Sequence, residues 1–437
     1  MKRFALENLK NWKEKPDKKP LLIHGARQVG KTWLMQEFGK KYYKNVAYIW
    51  FEDNVRMKNL FADDLDPKRL LIGLEAETHQ KIIPGETLII FDEIQACPKV
   101  LTSLKYWSED APEYDIVAAG SMLGIFLHEG VSFPVGKVDF MDLRPMSYCE
   151  FLGAMGEEQL CKLLEDRDWK LIKVFRDKFL SYLRLYFYIG GMPEVVQSFV
   201  NKKDLFEARA IQKKILKSYE GDFSKHIPGI EILKVSQMWN SIPAQLAKEN
   251  KKFIYKEVKK GASSKTFEFA LEWLVRCGLI HRIARISKPA MPLKSYENES
   301  GAFKLFLVDV GLMSAMAEVD SRAILEGDAL FTEFKGALTE QFVCQELKTL
   351  DDVYIAYWTN EAPSLAGIDF FLQIEGRIIP MEAKSTFNLR AKSLAIYRKK
   401  FQPTIEIRTS QADYKKTDNL FDIPLYALGE LKKIILE

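Results

Sequence analysis

Residues 25 to 32 read Gly25-Ala26-Arg27-Gln28-Val29-Gly30-Lys31-Thr32, directly after the apolar run Leu21-Leu22-Ile23. A G-x-x-x-x-G-K-T loop between a buried strand and a helix cradles phosphate, because its backbone amides and the helix N-terminus point at the anion. Trp33, Leu34, Met35 and Phe38 supply the apolar stripe of that helix. In this setting Gly25 and Gly30 permit the turn, Lys31 reaches the β- and γ-phosphates, and the Thr32 hydroxyl holds magnesium. The plainer alternative is a glycine-bearing turn with an exposed lysine.

Further along, Leu88-Ile89-Ile90-Phe91 is a continuous apolar run, as in a strand buried on both faces of a parallel sheet, and it ends in Asp92-Glu93. An aspartate at such a strand end holds the metal beside a phosphate loop, directly or through water. Glu93 is then placed to polarise an attacking water. A third short run, Ile116-Val117-Ala118-Ala119, ends in Gly120-Ser121. Ligands of doubly wound sheets lie at the carboxyl ends of strands. Ser121 therefore reads either as a γ-phosphate or water contact or as a turn serine. The three runs together predict ATP as ligand, Mg2+ as its partner ion, and hydrolysis.

A second constellation lies near the C-terminus. Ile368-Asp369-Phe370-Phe371-Leu372, the turn Glu375-Gly376 and Ile378-Ile379-Pro380-Met381-Glu382-Ala383-Lys384 predict a hairpin. Residues two apart on a strand share a face, so Glu382 and Lys384 project together and can converge with Asp369. Glu340, on an upstream helix, is a further acid. Two carboxylates hold magnesium on a phosphodiester while a lysine orients water. This D…E-x-K spacing resembles the signature of restriction-endonuclease-like nucleases. The same residues also suit a silent, lysine-bridged hairpin.

Composition narrows the field. With 437 residues the chain is expected to form two to four domains. Sixty-four basic against sixty acidic residues leave a net charge of +4, so any nucleic-acid surface must be local. Cys97, Cys149, Cys161, Cys277 and Cys344 form no C-x-x-C pair, so neither a zinc site nor a disulfide framework is expected, and a reducing cytoplasm fits best. No secretion signal and no apolar stretch of about eighteen residues is visible, so no membrane association is expected.

The elements that position these residues follow from the patterning. Residues 1–150 alternate strand-like and helical runs, including Val46–Phe51 and Val138–Leu143, and read as an α/β sandwich around a mainly parallel sheet. Residues 151–235 read as a helical lid, redirected at Gly190-Gly191-Met192-Pro193. Residues 236–295 read as a winged helix. Lys252–Lys259 is followed by a turn at Gly261 and by a helix through Phe267, Ala270, Leu271 and Leu274. Leu279–Ile283 is the expected first wing strand. Lys256, Lys259, Lys260 and Lys265 are candidates for DNA phosphates, or for a solvated face broken by Glu257, Glu268 and Glu272. Residues 296–437 read as a further α/β region.

Taken together the segments resemble a widespread family of bacterial and archaeal ATP-binding proteins. Its members join an AAA+-type (archaeal-ATPase-like) domain to a C-terminal domain of unknown function. The resemblance spans nearly the whole chain. It rests on the loop 25–32, Phe91-Asp92-Glu93-Ile94-Gln95 and Ala119-Gly120-Ser121. Further along it rests on Phe133-Pro134-Val135-Gly136-Lys137, Leu143-Arg144-Pro145-Met146-Ser147, Gly190-Gly191-Met192-Pro193, Asp309-Val310-Gly311-Leu312 and Asp369…Glu382-Ala383-Lys384. It implies a P-loop ATPase with an inserted-strand sheet, a helical lid, a winged helix and a restriction-endonuclease-like C-terminal domain. Ser121 is then the polar sensor. Many relatives carry arginine where this chain has Lys137, so Lys137 and Arg144 both stand as candidates for a positive finger. DNA, a protein partner or a second copy of the chain are the expected partners. The alternative is a nucleotide-regulated scaffold whose C-terminal site is silent.

Overall fold

The computed structural model describes residues 2–121, 134–248, 252–297, 301–324, 332–359, 367–387 and 392–436. Phe133 of the sequence motifs lies outside these. Two compact units emerge: Lys2–Arg144 with Arg276–Leu279, and Pro145–Val275 with Ile280–Glu437. Apart from Arg276–Leu279, the segments read from sequence as lid, winged helix and C-terminal region lie in the second unit, which also takes in residues 145–150, expected from sequence in the N-terminal domain.

In the N-terminal unit, β1 (Leu21–His24), β2 (Asn45–Trp50), β3 (Thr87–Asp92), β4 (Asp115–Ala119) and β5 (Asp139–Asp142) form a parallel sheet in the order β2-β3-β4-β1-β5. Strand β4 thus sits between β1 and β3. Its register aligns Ala119 with both Ile23 and Asp92, so three strands end level. Every residue of β3 and β4 is buried, as their unbroken apolar patterns require. Helices α1 (Ala5–Glu14), α2 (Lys31–Tyr42), α3 (Val55–Asp63), α4 (Pro67–Thr78) and α5 (Pro98–Asp110) complete the unit. Phe51, Phe61 and Phe91 meet edge to face, with centroids 5.4–5.8 Å apart, inside one apolar cluster.

The C-terminal unit begins helically, from Tyr148–Ala154 to Gly229–Leu246. Helix Arg176–Ile189 stops at Gly190-Gly191, and Pro193 opens the next helix, as the sequence predicts. The remaining strands are β6 (Ile280–Ile286), β7 (Phe303–Leu307), β8 (Tyr354–Thr359), β9 (Gly367–Ile374), β10 (Arg377–Ala383), β11 (Glu406–Ser410), β12 (Lys415–Thr417) and β13 (Leu420–Pro424). They form a mixed sheet ordered β12-β13-β11-β10-β9-β8-β6-β7. Here the structure departs from the expected wing. Strand β6 pairs with β7 and also, in parallel, with β8, and Ile280, Ile283, Ala284 and Ile286 are buried. A strand so covered belongs inside a sheet. The hairpin β9–β10 turns at Glu375-Gly376, where the sequence places it.

A buried polar knot fixes the helices of this unit. Asp309 accepts hydrogen bonds from the Gly191 amide at 2.6 Å and the Leu312 amide at 2.9 Å. Gln345 donates to the Tyr186 hydroxyl and accepts from the Val310 amide. Glu346 accepts from the Tyr148 amide at 2.9 Å and so caps the start of helix Tyr148–Ala154. That helix is also joined to helix Glu158–Asp166 by a Cys149–Cys161 disulfide, with Cα atoms 5.4 Å apart. The sequence spacing did not foresee this bond, which forms because the turn at Gly156 folds two short helices together. Cys97, Cys277 and Cys344 are buried and form no disulfide. No helix among the described residues is long and apolar enough to cross a membrane.

Burial pushes the Glu346 carboxyl up to about 8 and Asp309 up to about 6. A carboxyl with a raised folded pKa binds its proton more tightly in the native state. Its contribution is complete below about pH 4 and is lost as pH rises through the folded value. The melting temperature is therefore expected to fall progressively as pH rises from about 4.5 to about 8. Glu346→Gln, which keeps an acceptor for Tyr148, should flatten that drop by a few degrees in scanning calorimetry. An unchanged slope would remove Glu346 from the account.

Candidate nucleotide site and C-terminal charge cluster

The loop after β1 leads straight into α2. A Cβ on Gly25 would come 2.2 Å from the Leu143 carbonyl, so no larger residue fits there. Gly30 is left-handed at φ 92° and releases the chain into the helix. Lys31 is buried, and its ammonium donates to the Gly25 and Ala26 carbonyls at 2.8 Å each. An ammonium has three donors, so one remains for a phosphate oxygen. Burial pulls Lys31 down to about 8, against the opposing pull of Glu93 and Asp92. Arg3, which the sequence pattern did not single out, donates to the Val29 carbonyl at 3.0 Å and the Arg144 carbonyl at 2.6 Å. It ties the loop to the end of the unit's chain.

The level ends of β1, β3 and β4 bring the remaining residues together. The Thr32 hydroxyl donates to Asp92 Oδ2 at 2.6 Å, and the Tyr48 hydroxyl donates to the same oxygen at 3.0 Å. The Glu93 amide donates to Asp92 Oδ1. Burial raises the Asp92 pKa above the ordinary value, opposed by the Thr32 and Tyr48 hydrogen bonds. Glu93 takes a left-handed backbone at φ 53°, unusual for a residue with a side chain. Its carboxylate accepts from Ser121 Oγ at 3.2 Å and from the Gln95 amide, which also donates to Ser121 at 3.3 Å. Asp92, Glu93, Ser121 and Thr32 thus converge as expected. Tyr48 and Gln95 are additions. Gln95 was visible as part of a motif but had no assigned task, and Tyr48 gave no local signal. The two finger candidates are engaged: Lys137 with Glu109 at 2.9 Å, and Arg144 with Asp142 at 3.1 Å.

Hard oxygen donors at Thr32 and Asp92, 2.6 Å apart, are the right chemistry for magnesium. Residues 17–152 match the family model described as the AAA domain. This part of the chain is an AAA-type, ATPase-like domain. Two models described as domains of unknown function match further along: DUF8612 over residues 180–323 and DUF4143 over residues 335–428. An uncharacterized protein of Methanocaldococcus jannaschii is 24% identical over 208 residues, which is 47% of this chain and 41% of that protein. The chain thus spans under half the length of that relative. Among solved structures, a Walker-type ATPase of Pyrococcus abyssi is 15% identical, with a TM-score of 0.40, over 71% of this chain and 94% of that one. The Orc1 protein of Aeropyrum pernix, solved in complex with DNA, is 13% identical, with a TM-score of 0.27, over 72% and 91%.

In the C-terminal unit, Asp369 on β9, Glu382 on β10, Lys384 just after it and Glu340 on helix Thr332–Lys348 share one cluster. Lys304 on β7 joins them, and it was not foreseen. Its ammonium lies 3.0 Å from Glu340 and 3.9 Å from Asp369, fully buried beneath the Tyr357 and Phe370 rings. Burial pulls the ammonium down, yet Glu340 and Asp369 outweigh it and hold its pKa above the ordinary value. Lys384 pairs with Glu382 at 2.6 Å, and Asp369 accepts from the Ala383 amide at 3.0 Å. Burial, then the Asp369 charge, push Glu382 up to about 7. Its Oε2 has no hydrogen-bond partner among the described residues. Among those residues, Cys149, Cys161 and Glu165 are the one group offering three metal-ligand atoms within 4.8 Å of one another. The three acids of this cluster do not form such a group.

Lys304→Met should leave the buried Glu340 and the half-buried Asp369 without that ammonium and destabilise the unit by about 3–5 kcal/mol in denaturant titrations. Adding Glu340→Gln should recover much of that loss. A Lys304→Met variant as stable as the parent would show that the ammonium is not what holds the acids.

Proposed function

We propose that the chain binds ATP with magnesium at residues 25–32 and hydrolyses it, and that nucleotide state governs the C-terminal unit. The observation that carries the reading is the meeting of Lys31, the Thr32–Asp92 pair and the Glu93–Ser121–Gln95 triangle at the ends of three parallel strands. Loop amides and the Lys31 ammonium hold the β- and γ-phosphates. Thr32 and Asp92 would hold the magnesium ion, which when bound neutralises phosphate charge. Glu93 accepts a proton from the attacking water, and Gln95 and Ser121 aim its carboxylate. Coupling is supported by the path of the chain. Arg276–Leu279 belongs to the N-terminal unit although both flanking segments belong to the other, and the Arg276 carbonyl lies 3.3 Å from His24 Nε2, next to the loop.

Glu93→Gln should keep ATP affinity and lower turnover by roughly a hundredfold or more. Equal turnover in the two proteins would reject Glu93 as the base. Because Lys31 sits near 8, ATP affinity should weaken as pH rises above about 8, with proton uptake on binding visible by calorimetry in two buffers. Lys31→Met should abolish tight binding and the proton uptake together.

A second reading concerns the acidic cluster. The buried Lys304, already paired with Glu340, favours a silent, lysine-bridged cluster over magnesium-dependent cleavage. The exposed Lys256, Lys259, Lys260 and Lys265 would then serve for contact with DNA phosphates or a partner, and not for delivery to a nuclease. Purified protein is expected to leave DNA uncut with magnesium or manganese, with or without ATP. Cleavage lost in Asp369→Ala would establish the nuclease instead.

A further inference from the structure

We propose that Cys149 and Cys161 form a reversible dithiol–disulfide pair, closed by exchange with a small-molecule disulfide and assisted by Glu165. The bond joins residues only twelve apart, in a chain whose other described cysteines form no disulfide. A single disulfide in a chain whose other cysteines stay unbridged suits a redox-responsive site better than a structural framework. Cys149 is partly exposed in the first turn of its helix, whereas Cys161 is buried. Cys161 Sγ stands 3.8 Å from Glu165 Oε1, one helical turn on, with the thiol as donor in its reduced form.

This arrangement assigns an order to the steps. The Cys149 thiolate attacks the disulfide of the oxidant, forming a mixed disulfide and releasing one small thiol. Cys161 then attacks the Cys149 sulfur, its proton passing to Glu165 Oε1 and on to solvent, and the second small thiol leaves. Two protons and two electrons depart from the protein, and the oxidant carries both electrons away as two thiols. Closure pins helix Tyr148–Ala154, whose first amide docks on Glu346, to helix Glu158–Asp166. Opening frees that joint.

The full-length protein, equilibrated in glutathione buffers of graded reduced-to-oxidised ratio, is trapped with an alkylating agent and weighed intact. Cys149 and Cys161 should label together or not at all, and the unlabelled form should weigh less by two hydrogens. The melting temperature should fall on reduction, and Cys149→Ser and Cys161→Ser should each abolish that shift. Glu165→Gln should still form the bond, but several-fold more slowly below neutral pH. Independent labelling, or a bond that stays closed in fully reduced glutathione, would overturn the proposal. Protection without the loss of two hydrogens, relieved by a chelator, would overturn it in favour of a thiolate metal site.

Discussion

One buried carboxylate organises the N-terminal unit. Asp92 ends a strand with no exposed residue, and burying its charge would be costly without partners. The cost is offset by two hydroxyls and an amide, from Thr32, Tyr48 and Glu93. Each donor comes from a different place: the first turn of α2, the neighbouring strand β2 and the residue just past β3. Satisfying Asp92 therefore fixes the helix that follows the phosphate loop, the edge of the sheet and the turn that aims Glu93. Charge-assisted bonds of this kind are roughly twice as strong as neutral ones. They tolerate little displacement, and that makes the site preorganised.

The two acidic clusters of the chain solve the same electrostatic problem differently. Around Asp92 the compensation comes mostly from neutral hydroxyls and an amide, with the Lys31 ammonium engaged by loop carbonyls. Charge there is left only partly balanced, and a further cation and an anionic ligand are accommodated at little cost. Around Asp369 the chain supplies its own cations, Lys304 and Lys384. At separations of 3–4 Å in a poorly polarisable interior, such pairs interact by several kcal/mol even at an effective dielectric of about 20. A divalent ion would have to displace the Lys304 ammonium or share its carboxylates. The Glu382 oxygen that lacks a hydrogen-bond partner is relieved as readily by a proton, given a carboxyl that titrates near neutrality.

The legible parts of the sequence were the local ones. A phosphate loop, an apolar strand ending in two acids and a hairpin with a Glu-Gly turn each declare themselves within ten or so residues. Their convergence could be read as well, because parallel sheets gather strand ends. What escaped notice depends on distant partners. Tyr48 meets Asp92 across 44 residues, Arg3 meets Val29 across 26, and Lys304 meets Glu340 across 36. Nothing in the spacing of a lone lysine in a strand-like run marks it as the counterion of a helix glutamate. The expected wing failed for a related reason. The helix–turn–helix pattern before Ile280 is local, but whether the next strand ends as a two-stranded wing or joins a larger sheet is decided by β8, some seventy residues later. The Cys149–Cys161 bond escaped notice because pairing was sought in C-x-x-C spacing, and not across a turn between two helices.

The knot at Asp309 shows how a motif can be specific without being chemical. Gly190-Gly191, Met146 and Asp309-Val310-Gly311 stand out in the sequence as fixed phrases, and phrases of that kind invite a catalytic reading. In the structure they are one packing site. A Cβ on Gly191 would lie 2.1 Å from the Met146 carbonyl, and the Gly191 amide is already committed to Asp309. Asp309 in turn caps the helix that begins at Val310, and Gln345 fills the space between that cap and the Tyr186 hydroxyl. The aspartate is completely buried and has its acceptors occupied by amides of the chain itself, so no substrate atom has a route to it. Strict residue choice here follows from backbones meeting at contact distance, and that is a demand of the fold and not of a reaction.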